Sequence, residues 1–114
     1  MNINFREGKP GDAEMCAAIC YEAFKAIADQ HNFPHDFSDR ETAFGLLSEL
    51  LRREDIYSVV VEKEGRIVGS NFLWENGVIA GVGPITVDPG VQNSAIGRRL
   101  MEDVLRRARE HRFV

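Results

Sequence analysis

The sequence predicts a mixed α/β (α+β) fold whose elements follow the order β-α-α-β-β-β-α. Three segments carry apolar residues at intervals of three and four, the period of a helix with one buried face. Four others alternate apolar and polar residues or are rich in β-branched residues, and Gly or Pro residues separate them. At 114 residues, 44% of them hydrophobic, the chain is expected to form one domain with its own core.

The first strand and the first helix are predicted within the N-terminal 29 residues. Ile3 to Arg6 alternates apolar and polar residues, as a half-buried strand does. Asp12 is a good N-cap for a helix that runs to about Asp29. Cys16 and Cys20 fall on its apolar face, where we expect buried packing rather than a disulfide.

A loop and a second helix are predicted next. Residues 30 to 38 are polar and aromatic, and Pro34 prevents a continuous helix through them. The second helix is expected from about Arg40 to Arg53. Its buried side should comprise Phe44, Leu47, Leu50 and Leu51.

Three strands are predicted between the second and the last helix. Tyr57 to Glu62 is rich in β-branched residues, and Glu64-Gly65 forms the turn to its partner, Arg66 to Trp74. Asn76-Gly77 is a strong hairpin signal and leads into the fourth strand, Val78 to Val87.

The fourth strand contains Gly83 and Pro84, which cannot join a regular ladder and indicate a bulge or an edge where chemistry could occur. The last helix should run from about Ser94 to Glu110. Its predicted buried residues are Ile96, Leu100, Met101, Val104, Leu105 and Ala108. On its surface we expect the pairs Arg99 with Asp103 and Glu102 with Arg106.

The junction from Val87 to Arg99 is the most informative stretch. It is a strand, a turn at Pro89-Gly90 and a helix start with Ser94 as N-cap, where small residues leave room near the backbone. The first turn of a helix has unpaired N–H groups and the positive end of the dipole, so it can hold a phosphate. Arg98 and Arg99 add positive charge. The alternative is that the small residues serve packing alone.

The junction carries no P-loop pattern and no dinucleotide fingerprint. It resembles the pyrophosphate loop of the GNAT acetyltransferase superfamily, in which a strand ending V-x-P precedes Q/R-x-x-G-x-G/A at a helix start. Here these are Val87-Asp88-Pro89 and Gln92-Asn93-Ser94-Ala95-Ile96-Gly97. Ala95 stands where the family usually has its first glycine. The resemblance extends over nearly the whole chain and implies the GNAT-type acyl-CoA N-acyltransferase fold.

The resemblance implies transfer of an acetyl group from acetyl-CoA to an amine of a small molecule or peptide. It implies that the backbone N–H of Ile85 stabilises negative charge on the thioester oxygen and that the backbone of Val87 holds the pantetheine arm. The diphosphate would be bound by Gln92, Asn93, Ser94, Ala95, Ile96, Gly97 and Arg98.

A side-chain base is not evident where many family members carry a Glu, since Ala80 to Gly83 are all nonionisable. The family's fifth strand and a tyrosine acid would lie beyond Val114. We therefore expect an incomplete GNAT-like domain over residues 1–114 (a fragment, a shortened chain, or a member that completes its sheet with a second copy) and little activity from it alone. An open sheet edge predicts a homodimer. The alternative function is a non-catalytic CoA-binding or dimerisation module.

Composition, charge and spacing argue against several other classes of function. The net charge of −4 argues against nucleic-acid binding. Neither an 18-residue apolar run nor a signal-peptide pattern is present, so we expect no membrane association and a cytoplasmic location.

His31 and His35 have Pro34 between them, which disfavours a metal site. Solvation is expected for Asp36 and Asp39, although both could contact a cationic amine. Core or loop packing is likewise favoured over an acceptor pocket for Tyr21, Phe33, His35, Phe37 and Trp74.

Overall fold

Three helices and five strands follow one another in the computed structural model, which describes residues 3–32, 39–75, 81–91 and 94–110, the side chain of Ser94 excepted. The elements are β1 (Ile3–Glu7), α1 (Ala13–His31), α2 (Arg40–Arg52), β2 (Ile56–Lys63), β3 (Arg66–Trp74), β4 (Gly81–Val82), β5 (Thr86–Val87) and α3 (Ser94–Glu110). Short 3-10 turns lie at Pro10–Asp12 and Pro89–Val91. The predicted order is confirmed, with the predicted fourth strand divided into β4 and β5.

The strands form one antiparallel sheet in the order β1-β2-β3-β4, with β5 also paired to β3. β4 and β5 therefore lie one after the other along the same side of β3 and form an outer edge of the described sheet. The turn from β2 to β3 has positive φ at Glu64 (55°) and Gly65 (79°), the backbone that a tight two-residue hairpin requires. The predicted Asn76-Gly77 hairpin lies outside the described residues.

The helices cover the two faces of the sheet. Helices α1 and α2 pack on one face together with Val60 and Phe72, whereas α3 packs on the other with Val59 and Val61. Successive side chains of a strand point to opposite faces, so the valine run of β2 supplies both cores. The predicted burial of Cys16 and Cys20 is confirmed, since both side chains are fully buried.

The C-terminal end of α1 differs from the prediction, whereas its start agrees with it. Gln30 and His31 are helical, and the helix ends at Asn32, whose left-handed backbone (φ 58°) lets its N–H donate to the carbonyl oxygens of Ala28 and Asp29. Asp12 occupies the N-cap position, as predicted, but its side chain makes no capping hydrogen bond to the helix. Its carboxylate instead accepts hydrogen bonds from both Nη atoms of Arg6, at 2.9 and 3.0 Å, and from the Lys9 N–H.

The buried face of α2 is shifted from the predicted one. Phe44 is 46% exposed, whereas Ala43, Leu47, Leu50 and Leu51 are buried. The stripe that meets the sheet and α1 begins at Ala43, so Phe44 lies at its solvent margin.

The buried and exposed faces of α3 differ from the prediction in detail. Ile96, Leu100, Val104 and Ala108 are buried as expected, whereas Met101 and Leu105 are half-buried. The predicted surface pairs are replaced: Asp103 accepts from Arg106 and from the Tyr57 hydroxyl, and Arg99 lies over the Phe5 ring. None of the described helices is both long and apolar enough to cross a membrane.

Candidate active site

A β-bulge divides the strand that faces β3. Leu73 pairs with Val82, and Ser70 pairs with Thr86, so the three residues 83–85 lie opposite only two residues of β3. One strand thus carries one extra residue, which is the definition of a bulge. The irregularity predicted from Gly83 and Pro84 is confirmed.

Gly83 and Pro84 explain why the bulge forms there. Gly83 has φ of 115°, a region that residues with a Cβ rarely adopt. Its N–H still donates to the Phe72 carbonyl at 2.8 Å, but its own carbonyl accepts the Trp74 indole N–H at 2.7 Å. Pro84 has no N–H to contribute to a ladder. The chain therefore leaves β3 after Gly83 and returns to it at Thr86.

The bulge decides which way the backbone of Ile85 and Val87 points. The Asp88 N–H donates to the Val68 carbonyl at 2.7 Å, so Val87 and Gly69 form a non-hydrogen-bonded pair. The N–H and C=O of Val87 consequently point away from β3, towards the outer edge. Thr86 faces β3 in its pair with Ser70, so the alternation of an extended strand directs the preceding Ile85 outward as well. The Ile85 N–H makes no hydrogen bond within the described part of the chain.

A cleft of about 510 Å³ opens beside these backbone groups, between β5 and the second half of α1. Ile27 and Ile85 are 54% and 36% exposed there. None of the described lining residues has an ionisable side chain, so this part of the cleft supplies no general acid or base. The lining comprises Ala23, Ala26, Ile27, Gln30, Ile85, Thr86, Val87 and Pro89.

Asp88 folds the turn that connects the cleft to α3. Its carboxylate accepts the Gly90 N–H at 2.8 Å, and its backbone carbonyl accepts the Val91 N–H at the same distance. The Arg66 guanidinium donates to the same carboxylate at 2.9 Å, and these bonds hold the pKa of Asp88 below its usual value. The middle residue of Val87-Asp88-Pro89 is therefore structural.

The start of α3 presents small residues and two exposed arginines, Arg98 and Arg99. Ala95 and Arg98 are exposed, and a Cβ added to Gly97 would meet no atom within 4 Å. Buried Ile96 holds this turn against the core. Arg99 was predicted to add charge here, but its guanidinium lies 4.1 Å from the centroid of the Phe5 ring. Gln92, Asn93 and the side chain of Ser94, with its predicted capping role, lie outside the described residues.

The other candidate side chains have structural roles where they are described. Asp39 caps α2, since its carboxylate accepts the Thr42 N–H at 2.9 Å, and this bond lowers its pKa. Tyr21 is half-buried, with the Arg40 guanidinium 5.9 Å from its ring centroid. Burial raises the pKa of Cys16 to about 12, which makes a nucleophilic role unfavourable.

The predicted loop residues Phe33, His35, Asp36 and Phe37 lie outside the described residues, as does Ala80. Within the described ranges, no group of His, Cys, Asp and Glu side chains is arranged to hold a metal ion. Sequence reasoning missed Asn71, a fully buried polar residue opposite the bulge. The available signal was an asparagine inside the otherwise apolar run of β3.

Comparison with known proteins identifies the family. The model of the acetyltransferase (GNAT) family matches residues 20–114. A PaiA N-acetyltransferase from Thermoplasma acidophilum, solved with coenzyme A, is similar with a TM-score of 0.77 and 14% identity over 99% of this chain and 76% of that one. A GNAT acetyltransferase from Brucella melitensis, solved with acetyl-CoA, is similar with a TM-score of 0.70 and 21% identity over 96% of this chain and 70% of that one.

A putative acetyltransferase from Pyrococcus horikoshii gives a TM-score of 0.75 and 21% identity over 95% of this chain and 35% of that one. No curated protein matches the sequence. At these identities the solved structures show a common fold, and the family model covers most of the chain. The chain therefore belongs to the acetyltransferase (GNAT) family.

Proposed function

We propose that this protein transfers an acetyl group from acetyl-CoA to an amine of a small molecule or peptide, with residues 85–98 binding acetyl-CoA. The observation that carries the proposal is the outward direction of the Ile85 and Val87 backbone at the edge of an open cleft. The presence of coenzyme A and acetyl-CoA in the Thermoplasma and Brucella structures supports the same ligand here.

Val87 is suited to hold the pantetheine arm. Its N–H and C=O point away from β3, so an extended chain with amide groups can pair with them as an added strand does. Ile27 and Ala26 of α1 form the opposite, apolar wall of the cleft. The arm would thus run between the edge of the sheet and α1.

Ile85 is suited to stabilise the charge that develops during acetyl transfer. When the amine attacks the thioester carbon, the carbonyl oxygen becomes negative before the carbon–sulfur bond breaks and the thiolate leaves. A backbone N–H already directed at that oxygen stabilises it without reorganising, and such a donor contributes about 3 kcal/mol in oxyanion holes. Ile85 lines the cleft, and its N–H makes no hydrogen bond within the described chain.

The start of α3 is suited to the diphosphate. The helix has 17 residues, and its first turn offers N–H groups and the positive end of its dipole. Gly97 leaves the approach to the backbone open, and Arg98 can reach a phosphate from the surface. The exposed methyl group of Ala95 is compatible with these contacts because they are made chiefly by the main chain.

A second candidate is a non-catalytic CoA-binding or dimerisation module. It is favoured by the absence of an ionisable side chain from the described lining of the cleft. An ammonium acceptor must lose a proton before it attacks, and no side chain in the described lining can accept that proton, which leaves bound water for this part of the cleft. The acetyltransferase and a CoA-binding module make the same prediction for acetyl-CoA binding and opposite predictions for turnover.

Isothermal titration with acetyl-CoA, followed by a thiol-release assay over a panel of amines, tests the proposal. Binding with turnover supports an acetyltransferase, and binding without turnover supports a CoA-binding module. No binding contradicts both of these and leaves only a dimerisation module. Val87→Pro removes an outward N–H, and we expect it to weaken acetyl-CoA binding about tenfold while the ladder persists.

The matched control is Val82→Pro. Val82 also lies in a non-hydrogen-bonded pair, opposite Leu73, so its N–H points outward as well, but it does not line the cleft. Equal loss of binding in the two variants would contradict the assigned role of Val87.

We further propose that residues 1–114 form a single cytoplasmic domain that pairs as a homodimer. The outer edge of β4, which does not line the cleft, supports the homodimer, since an unpaired edge can pair with a second copy. Light scattering coupled to size-exclusion chromatography should then give twice the mass of one chain. A monomer at all concentrations would refute the dimer.

A further inference from the structure

The bulge leaves two backbone groups without their ordinary ladder partner. A continuous ladder from Leu73 and Val82 would join Phe72 and Gly83 by two hydrogen bonds. One forms, from the Gly83 N–H to the Phe72 carbonyl at 2.8 Å. The other would run from the Phe72 N–H to the Gly83 carbonyl, and Gly83 turns that carbonyl away.

Two side chains of β3 satisfy these groups. The Phe72 N–H donates to Oδ1 of Asn71 at 2.9 Å, and the Gly83 carbonyl accepts the indole N–H of Trp74 at 2.7 Å. An unsatisfied buried polar group costs free energy. Without the Asn71 amide oxygen and the Trp74 N–H, a hydrogen bond from the Phe72 N–H to the Gly83 carbonyl would therefore be more favourable than the bulge.

Asn71 also connects the bulge to α3. Its side chain is fully buried, and its Nδ2 donates to the Leu100 carbonyl at 3.2 Å. The amide oxygen of Asn71 thus bonds the backbone of β3, and its amide nitrogen bonds the backbone of α3. The first turn of α3 is the one proposed to bind the diphosphate. This explains why a polar residue is kept between the sheet and α3.

Trp74 is held in its orientation from the side of α2. The guanidinium of Arg53 lies 5.7 Å from its ring centroid and is itself fixed by two hydrogen bonds to Asp55, at 2.9 and 2.6 Å. The indole N–H is thereby aimed at the Gly83 carbonyl.

The register of the strand against β3 shows how the bulge changes the direction of Ile85. If the register of Leu73 with Val82 continued without the extra residue, Ile85 would lie opposite Ser70 in a hydrogen-bonded pair, and its N–H would point into the sheet. With the extra residue, Thr86 takes that place, and Ile85 points outward.

We propose that Asn71 and Trp74 are positioning residues that keep the bulge open and so direct the Ile85 N–H into the cleft. The inference rests on the proposed function for the role of that N–H in acetyl transfer. The direction of the N–H itself can be measured without any ligand.

Trp74→Phe tests the inference, because it keeps an aromatic side chain and removes the N–H donor together with one ring of the indole. In the wild-type protein the Ile85 amide should exchange its hydrogen rapidly in two-dimensional NMR, since it makes no bond in the described chain. In Trp74→Phe the exchange should slow at least tenfold as Ile85 moves towards the ladder. Asn71→Ala should act in the same direction.

Tyr57→Phe is the matched control. It also removes one aromatic donor, the hydroxyl that bonds Asp103 at 2.6 Å, but it does not touch the bulge. It should leave Ile85 exchange unchanged. A protected Ile85 amide in the wild-type protein, or equal exchange in Trp74→Phe and wild type, would overturn the inference.

Ligand binding gives a second readout. The Ile85 N–H would contact the acetyl carbonyl, which free coenzyme A lacks, so Trp74→Phe should lower the preference for acetyl-CoA over coenzyme A about fivefold. A general structural defect would weaken both ligands alike. If wild type binds neither ligand, the proposed function fails, whereas the exchange measurement still decides the positioning role.

Discussion

Gly83→Ala is the substitution that tests the geometry of the bulge most directly. With φ at 115°, an alanine at this position is strained, and a residue held in such a region costs about 1–3 kcal/mol. Steric overlap is not the cause, because the added Cβ would lie 3.7 Å from the Ile85 nitrogen, an ordinary contact. The strain is relieved only if the backbone rotates, which moves the Gly83 carbonyl away from Trp74.

We therefore expect Gly83→Ala to lower the free energy of unfolding by about 1–3 kcal/mol, and the midpoint of thermal unfolding by roughly 4 °C per kcal/mol. Acetyl-CoA binding should weaken as well. Urea unfolding followed by circular dichroism and isothermal titration measure the two effects.

Gly81→Ala is the matched control for this experiment. The added Cβ would lie 3.6 Å from Cβ of Trp74, again an ordinary contact, and the backbone of Gly81 has no positive φ. The change should be within about 0.5 kcal/mol. If the two alanine variants were equally stable and bound acetyl-CoA equally, the argument that Gly83 is required for the bulge would be refuted.

Three further predictions concern the rest of the chain. Leu47→Ala, at a fully buried site, should cost about 2–5 kcal/mol in urea unfolding, whereas Phe44→Ser should cost less than about 1 kcal/mol; equal losses would contradict the assigned faces of α2. The hydrogen bonds from Arg6 lower the pKa of Asp12, so its contribution is complete above the unfolded pKa and is lost as the pH falls through the folded one. The stability difference between wild type and Asp12→Asn should therefore shrink on acidification below about pH 4, and a constant difference would show that this ionisation does not matter. Cys16 should react with a thiol reagent only after unfolding, because burial raises its pKa to about 12; rapid labelling of the native protein would refute this.

Local patterns were sufficient to predict the elements but not their exact contacts. The predicted bounds of α3 and of β3 match the structure, because helical periodicity and turn residues act over short distances. Asp12 occupies the predicted N-cap position, but its side chain does not cap α1 because its carboxylate binds Arg6 of the preceding strand. Phe44 was misassigned because periodicity gives a stripe but not which of two adjacent residues meets the sheet.

The amino-acid sequence was enough to predict the order of the elements, the strand–turn–helix junction that resembles the family's pyrophosphate loop, and the break in the fourth strand at Gly83 and Pro84. The direction of the Ile85 N–H, in contrast, is set by tertiary contacts. That direction depends on the register of β4 and β5 against β3, which a single extra residue reverses. Register is a property of strands brought together in space, and here the side chains that accompany it, Asn71 and Trp74, lie on the partner strand.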